Sequence, residues 1–297
     1  MKKKKLVALF PAVAVLFLAL IISCNKKEPD QPAPERSDLP KHGFYLVGMG
    51  PGDPDLATLQ AVNTVKKADL VIGVSSHLER FSHLVEGKQK MSFPPPAFVW
   101  FGYGHSEADF KGKELQRFRK AKKSRRKVVK AIREAHRQGK KVVILDNGDP
   151  MIYGRWTWAL TELKELDPEV IPGLSSFNAS QAVIGKEVVW TGLSKTAILT
   201  ANDFASGKDT IENLARHQVT MFVYTMGLSI PDLADKLEEY YPPDTPIAII
   251  CYAGYRDKEY VIKGTLANIR RKTSDQEIPF EHLVIVGENL DFQWKKN

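Results

Sequence analysis

Cysteine is nearly absent from this chain: Cys24 and Cys251 are the only two in 297 residues. Cys24 closes an apolar N-terminal run and reads as a modified residue, which leaves Cys251 alone and excludes an internal disulfide framework. Metal-ligand spacings are missing as well. The seven histidines are scattered, and none pairs with a cysteine or a second histidine at a zinc-like interval. No nucleophile triad is legible. A dinucleotide fingerprint is also lacking, because that motif needs G-x-G-x-x-G. Here Gly48 and Gly50 are followed by Gly52, Asp53 stands where the third glycine would fall, and Pro51 removes an N–H that a pyrophosphate would use.

The apparent surplus of positive charge is largely terminal. Lys and Arg total 43 against 35 Asp and Glu, but six of the cations lie in residues 1–27, which hold no acid. That leaves 37 against 35, so the body is close to neutral and its basic pI is no argument for nucleic acid. No nucleic-acid module accompanies the remaining charge.

What is present begins with a targeting segment. Lys2, Lys3, Lys4 and Lys5 precede an apolar run from Leu6 to Ile22, and Ile21-Ile22-Ser23-Cys24 ends it. This resembles a bacterial lipoprotein signal, 1–23, with Cys24 as the lipidated residue. An uncleaved membrane anchor is the alternative, since about 17 apolar residues is the lower limit for spanning a bilayer. Either reading puts the body outside the cytoplasmic membrane, in the cell envelope, lipid-anchored to the inner or outer membrane. Residues 24–41, rich in proline and charge, read as a flexible tether.

The body is organised around Phe44 to Asp55, FYLVGMGPGDPD. A buried strand runs into a glycine loop, and a helix opens just behind it. Such a unit makes a ligand site at the carboxyl edge of an α/β sheet. The pattern recurs. Leu70 to Val74 is a second strand; Lys141 to Leu145 is a third, ending in Asp146-Asn147-Gly148-Asp149-Pro150 before a helix near Trp156. Val170 to Gly173 is a fourth, followed by hydroxyls that suit a helix N-cap. Three strand ends thus deliver glycine, hydroxyl and carboxylate groups to one edge, which indicates a small-molecule site.

Two stretches read differently. Met91 to Gly104 holds three consecutive prolines and five aromatic residues, which walls a pocket for a flat ligand or plugs the sheet. Lys111 to Lys141 is a strongly basic helix stopped by Gly139, with a solvated face or a rim that attracts polyanions. After Gly192 strands fall at Thr196–Thr200, Thr220–Thr225, Thr245–Cys251, Glu259–Lys263 and Leu283–Val286. Helices are expected at Ile211–Arg216, Pro231–Tyr240 and Thr265–Lys272. The expectation is therefore two α/β domains, 42–172 with a parallel sheet and 173–297 with a mixed sheet, and a ligand cleft between them.

Taken together, YLVGMGPGDPDLATLQAV, ADLVIG, KKVVILDNGDPMIYGR, VIPGLSSFNAS, MFVYTMG, TPIAIICYAG, KGTLANI and IPFEHLVIVGE resemble the tetrapyrrole methylases, in order, over about residues 43 to 290. The resemblance implies an S-adenosyl-L-methionine (SAM) dependent C-methyltransferase for corrin or sirohaem-type precursors, acting as a homodimer. It implies cofactor contacts at Pro51, at Asn147, Gly148 and Asp149, and at Ile152 and Tyr153. Further contacts are implied at Ser175 and Ser176, at Met226 and Ala248, and at Gly264 or Thr265. No catalytic residue and no metal follow from it. The chain departs from the family at Gly73 to Ser76, where an acidic or aromatic-acidic pair is usual, and from Met91 to Lys123. A non-catalytic envelope lipoprotein that holds a tetrapyrrole or similar flat anion is the second reading, and transfer to a protein or RNA acceptor a third, disfavoured by compartment.

Overall fold

The computed structural model describes residues 44–93, 99–189, 194–202, 208–224, 226–291 and 293. The signal, Cys24, the tether and the first two residues of the expected N-terminal domain lie outside the described residues. Two five-stranded sheets form the body. The first contains β1 (Phe44–Gly48), β2 (Leu70–Val74), β3 (Gln89–Phe93), β4 (Val142–Asp146) and β5 (Glu169–Ile171), all parallel, in the order β3-β2-β4-β1-β5. Strands β1 and β4 are buried along their whole length, so they read as unbroken apolar runs rather than alternating ones.

Helices cover both faces. On one face α1 (Leu59–Lys66) is capped by Thr58, whose hydroxyl accepts the Ala61 N–H at 3.1 Å. It follows a 3-10 turn at Pro54–Leu56, so the helix opens later than the sequence suggests. Two short helices, α2 (Ser75–Arg80) and α3 (Ser82–Val85), follow β2. On the other face lie α4 (Gly112–Arg137) and α5 (Trp158–Glu162). Phe118, Ala121, Arg125, Val128, Ile132 and Ala135 recur along α4 at helical spacing and are its buried residues. Val128, Ile132 and Ala135 share a core with Phe44, Leu46, Ile144 and Trp158.

The aromatic stretch divides. Residues 89–93 form the edge strand β3, 94–98 lie outside the described residues, and Val99, Trp100 and Tyr103 pack against the α4 core. The plug reading therefore holds for the described part.

The second sheet contains β6 (Ala197–Ala201), β7 (Thr220–Tyr224), β8 (Pro246–Cys251), β9 (Tyr260–Thr265) and β10 (His282–Val286), in the order β6-β7-β10-β8-β9. Only β6 and β7 are parallel; the other neighbours are antiparallel. Side chains alternate between its faces. Met221, Val223, Ile247, Ile249 and Val284 pack under α7 (Ile211–Ala215), α8 (Ile230–Glu238) and α9 (Leu266–Thr273). Phe222, Tyr224, Ala248, Ile250, Leu283 and Ile285 face the other way, with Ala179 of α6 (Ser176–Ile184).

The strand order explains where a site must lie. From β1 the chain leaves over the α1 face toward β2, and from the adjacent β4 it leaves over the opposite face toward β5. Neighbouring strands whose connections diverge in this way open a crevice at their carboxyl ends. There β1 and β4 continue past the ladder: Met49 N–H donates to Asp146 C=O at 3.0 Å, and Gly50 and Gly148 exchange hydrogen bonds of 3.3 and 3.0 Å. A Cβ on Gly48 would sit 2.7 Å from both the Gly148 oxygen and the Gly173 nitrogen, closer than real contacts allow. At Gly73 the same added carbon meets only side chains at 3.6 Å. Gly48→Ala is therefore expected to cost about 1–3 kcal/mol by overpacking, visible as a Tm lowered by several degrees, whereas Gly73→Ala stays near wild type; equal melting curves for the two would refute the packing argument.

Candidate active site

Two adjoining cavities of 110 and 90 Å³ occupy the crevice. Both are lined by Asn147, Tyr153, Ser176, Tyr224, Met226 and Phe280. Pro51, Gly52, Ser180, Ile250 and Ala253 belong to the larger one, and Gly148, Asp149, Ile152, Arg155 and Ser175 to the smaller. The walls thus come from the ends of β1, β4, β7 and β8, the start of α6 and the segment leading into β10. Tyr153 and Tyr224 rings lie 4.8 Å apart at 31° and line both lobes, so a ligand filling both must meet this pair. Tyr153 is held at φ 65°, a conformation rare outside glycine.

Carboxylates shape the loop after β4. Asp146 is fully buried; its two oxygens accept the Asn147 N–H at 2.9 Å and the Arg155 N–H at 3.1 Å. Burial raises its pKa to about 6, against the opposing pull of Arg155 and these hydrogen bonds. Asp149 accepts the Met151 N–H at 2.7 Å and reaches across to accept the Gly173 N–H at 3.2 Å. It therefore braces the β4 loop against the β5 loop. Ser175 forms a capping box with Asn178 and starts α6 beside them, so this helix presents its N-terminal N–H groups next to the cavity.

The loops of the two sheets are tied to each other. Asp53 N–H donates to Gly254 C=O at 2.9 Å, Arg256 N–H donates to Asp53 Oδ2 at 3.1 Å, and Arg256 pairs with Asp55. At the larger lobe, Arg80 donates to Asn147 Oδ1 at 3.1 Å, approaches Glu281 at 3.6 Å and lies 4.8 Å over the Tyr255 ring.

Nine residues named from the resemblance line the cavities: Pro51, Asn147, Gly148, Asp149, Ile152, Tyr153, Ser175, Ser176 and Met226. The other three do not. Ala248 is fully buried one step below Ile250 on the same face of β8, so Ile250 lines the cavity in its place. Gly264 pairs with Ile247, at the end of the antiparallel ladder away from Ala253, and Thr265 caps α9 there through Asn268. Sequence reasoning assigned no role to Ser180, Tyr224, Arg155 or Phe280. The spacing of Ser180 from Ser176 on one helix face was an available signal, as was the position of Tyr224 at a strand end.

Ser180 is the informative one. Its hydroxyl is fully buried, has no hydrogen-bond partner among the described residues and lines the larger lobe, so it is placed for a polar group of a bound molecule. Apolar Met226, Ile250 and Ala253 share that lobe. No cluster of His, Cys, Asp or Glu that could hold a metal exists among the described residues.

A two-sheet α/β body whose loop corners meet in a crevice at the carboxyl ends of β1 and β4 is an architecture for holding a small-molecule ligand. The chain belongs to the tetrapyrrole (corrin/porphyrin) methylase family, whose pattern matches residues 43–270 and whose members use S-adenosyl-L-methionine. It is 31% identical over 253 residues to the cobalt-precorrin-4 C(11)-methyltransferase of Methanocaldococcus jannaschii, covering 83% of this chain and 87% of that protein. It is 28% identical to the precorrin-4 C(11)-methyltransferase of Pseudomonas aeruginosa, covering 83% and 90%. A cobalt precorrin-4 methyltransferase structure superposes with a TM-score of 0.68 at 22% identity, over 84% of this chain and 97% of the other. The uroporphyrin-III C-methyltransferase of Thermus thermophilus, complexed with S-adenosylhomocysteine, superposes with a TM-score of 0.60 at 25% identity, over 84% and 99%.

Behind the site, His77 of α2 is buried and neutral. Burial first, then Arg155 and Arg80, lower its pKa to about 3 from 6.5. Unfolding lets this imidazole take a proton between those values, so its contribution to stability is full above pH 6.5 and is lost as pH falls toward 3. Asp146 acts oppositely: the folded carboxyl keeps a proton up to about pH 6 that the unfolded one releases near 3.8, so its contribution falls as pH rises through that window. His77→Gln should flatten the decline of Tm between pH 6.5 and 4, and Asp146→Asn should steepen it; identical Tm-versus-pH curves for all three proteins would contradict both assignments.

Proposed function

We propose that this chain is a SAM-dependent C-methyltransferase acting on a corrin precursor at the precorrin-4 stage. The observation that carries it is the two-lobed crevice in which β1, β4 and α6 meet, with the unpartnered Ser180 hydroxyl in its wall. The residues suit the cofactor. Ser180 and Ser176 offer hydrogen bonds to its hydroxyl and amine groups, and Met226, Ile250 and Ala253 offer an apolar surface for its base. The ring faces of Tyr153 and Tyr224 suit a cationic centre. When bound, SAM supplies an electrophilic methyl group on a sulfonium.

What the protein contributes is orientation. Asp149 and Asp146 fix the β4 loop, the glycine corner fixes the β1 loop, and the cavity walls keep water from the donor. An electron-rich pyrrole carbon needs little acid–base help once it is held in line. The precorrin-4 stage is supported by the length and identity of the match to the M. jannaschii enzyme.

SAM should bind the full chain with micromolar affinity in calorimetry, and Asp149→Ala should weaken it at least about tenfold, a loss of about 1.4 kcal/mol. Labelled methyl should pass to precorrin-4 in preference to uroporphyrinogen III. No SAM binding would overturn the assignment; tetrapyrrole binding without methyl transfer would favour a ligand-holding protein instead.

We further propose that the enzyme is exported as a lipoprotein, on the strength of the run Lys2–Cys24 and the proline-rich tether, and that it is a homodimer, on the family resemblance alone. No helix among the described residues is long and apolar enough to cross a membrane. Expressed in a bacterium, the protein should fractionate with membranes, and Cys24→Ser should release it or leave an unprocessed precursor. A cytosolic wild-type protein retaining residues 1–23 would exclude this.

A further inference from the structure

A second cavity lies away from the crevice and is larger than either of its lobes. A groove of 560 Å³ runs between α4, the 102–105 loop and the end of α5, and shares no residue with either lobe of the candidate active site. Its size is that of a small-molecule site. Cations dominate its walls: Lys122, Arg125, Arg126, Lys130, Arg133 and Arg137, against the single acid Glu162. Tyr103 and Val129 give it an apolar floor.

These cations differ in how they are engaged. Arg133 pairs with Glu165 at 2.8 Å, and Arg137 with Glu134 at 2.6 Å. Lys122, Arg126 and Lys130 have no carboxylate partner among the described residues; Lys122 rests 5.6 Å over the Phe118 ring. They recur every fourth residue, so their stems emerge about 6 Å apart along one face of α4.

Arg125 is the second, independent observation. It is 8% exposed and lies on the groove wall, yet no carboxylate is within ion-pair distance among the described residues. Its Nη1 donates to the Val99 and Phe101 carbonyls at 2.7 and 2.8 Å. Burying a cation with no carboxylate at ion-pair distance is costly, and here, among the described residues, the carbonyls are joined only by the Tyr103 and Phe118 rings, 5.7 and 6.0 Å from the guanidinium carbon. One guanidinium nitrogen thus anchors the loop, while the group adds a fixed positive charge to the groove. Burial lowers the Arg125 pKa and the charge of Glu162, on the same wall, acts against it, leaving six cations facing this one carboxylate.

We infer that this groove is a second ligand site, for a small, multiply charged anion of the phosphate type. A row of unpaired cations at one-turn spacing beside a preset guanidinium matches anionic groups set several ångströms apart. The enclosing loop and the concavity favour a compact ligand over an extended surface.

Titrating the full-length chain with sodium tripolyphosphate by calorimetry tests this. Binding is expected at low salt and should weaken at high salt. Arg126→Glu with Lys130→Glu should reduce affinity about tenfold or more while SAM binding is unchanged; Asp149→Ala should do the converse, so the two sites fail separately. Arg125→Met should also lose the anion. If that variant does not fold because the 99–104 loop is released, the surface double variant decides. No heat with tripolyphosphate, or equal affinity in the double variant, would overturn the proposal. Binding to phosphatidylglycerol vesicles without binding to tripolyphosphate would also overturn it, in favour of a lipid surface.

Discussion

Backbone packed against backbone at the glycine corner is the constraint on which the rest depends. Gly48, Gly148 and Gly173 stand so close that a Cβ on Gly173 would fall 2.3 Å from the Gly148 oxygen. Three loops from strands distant in sequence can then share one volume. The mutual hydrogen bonds of Gly50 and Gly148 hold them there without any side chain intervening. Everything that lines the crevice from the first sheet, from Pro51 to Ser176, takes its position from this contact. Glycine is required because the space is already full, and at Gly50 and Gly148 because φ is positive.

Polar groups then do what the glycines cannot. Buried Asp146 holds two loop amides, and Asp149 holds two more, one of them from another strand's loop. Such internal ties preorganise a site before ligand arrives, and preorganisation lowers the ordering cost of binding. The family's chemistry needs this kind of support more than it needs ionisable groups.

Much of the fold was legible because buried parallel strands write themselves as unbroken apolar runs. FYLVG, LVIGV and VVILD could be placed from sequence, and so could most of the second sheet, where β8 and β10 are equally apolar. Edge strand β3 could not: Gln89, Lys90 and Ser92 are exposed, and its apolar content is slight. The helix expected just behind the glycine loop is delayed to Leu59 by the 3-10 turn at Pro54–Leu56. At the site, loop residues next to glycines were readable because their role is local. Ile250 was not, since which end of a strand meets the crevice is set by the packing of two sheets, and Ser180 was legible only as sharing a helix face with Ser176. The same blindness placed Gly264 and Thr265 in the expected contact set, at the wrong end of an antiparallel pair.

The stitching of residues 53–55 to residues 254–256 has a mechanical corollary. With Gly52 pressed against Gly254 and the Asp53–Gly254 hydrogen bond beside it, the two halves are in direct backbone contact on that flank. Backbone already meets backbone there, so that flank of the crevice is closed to a ligand.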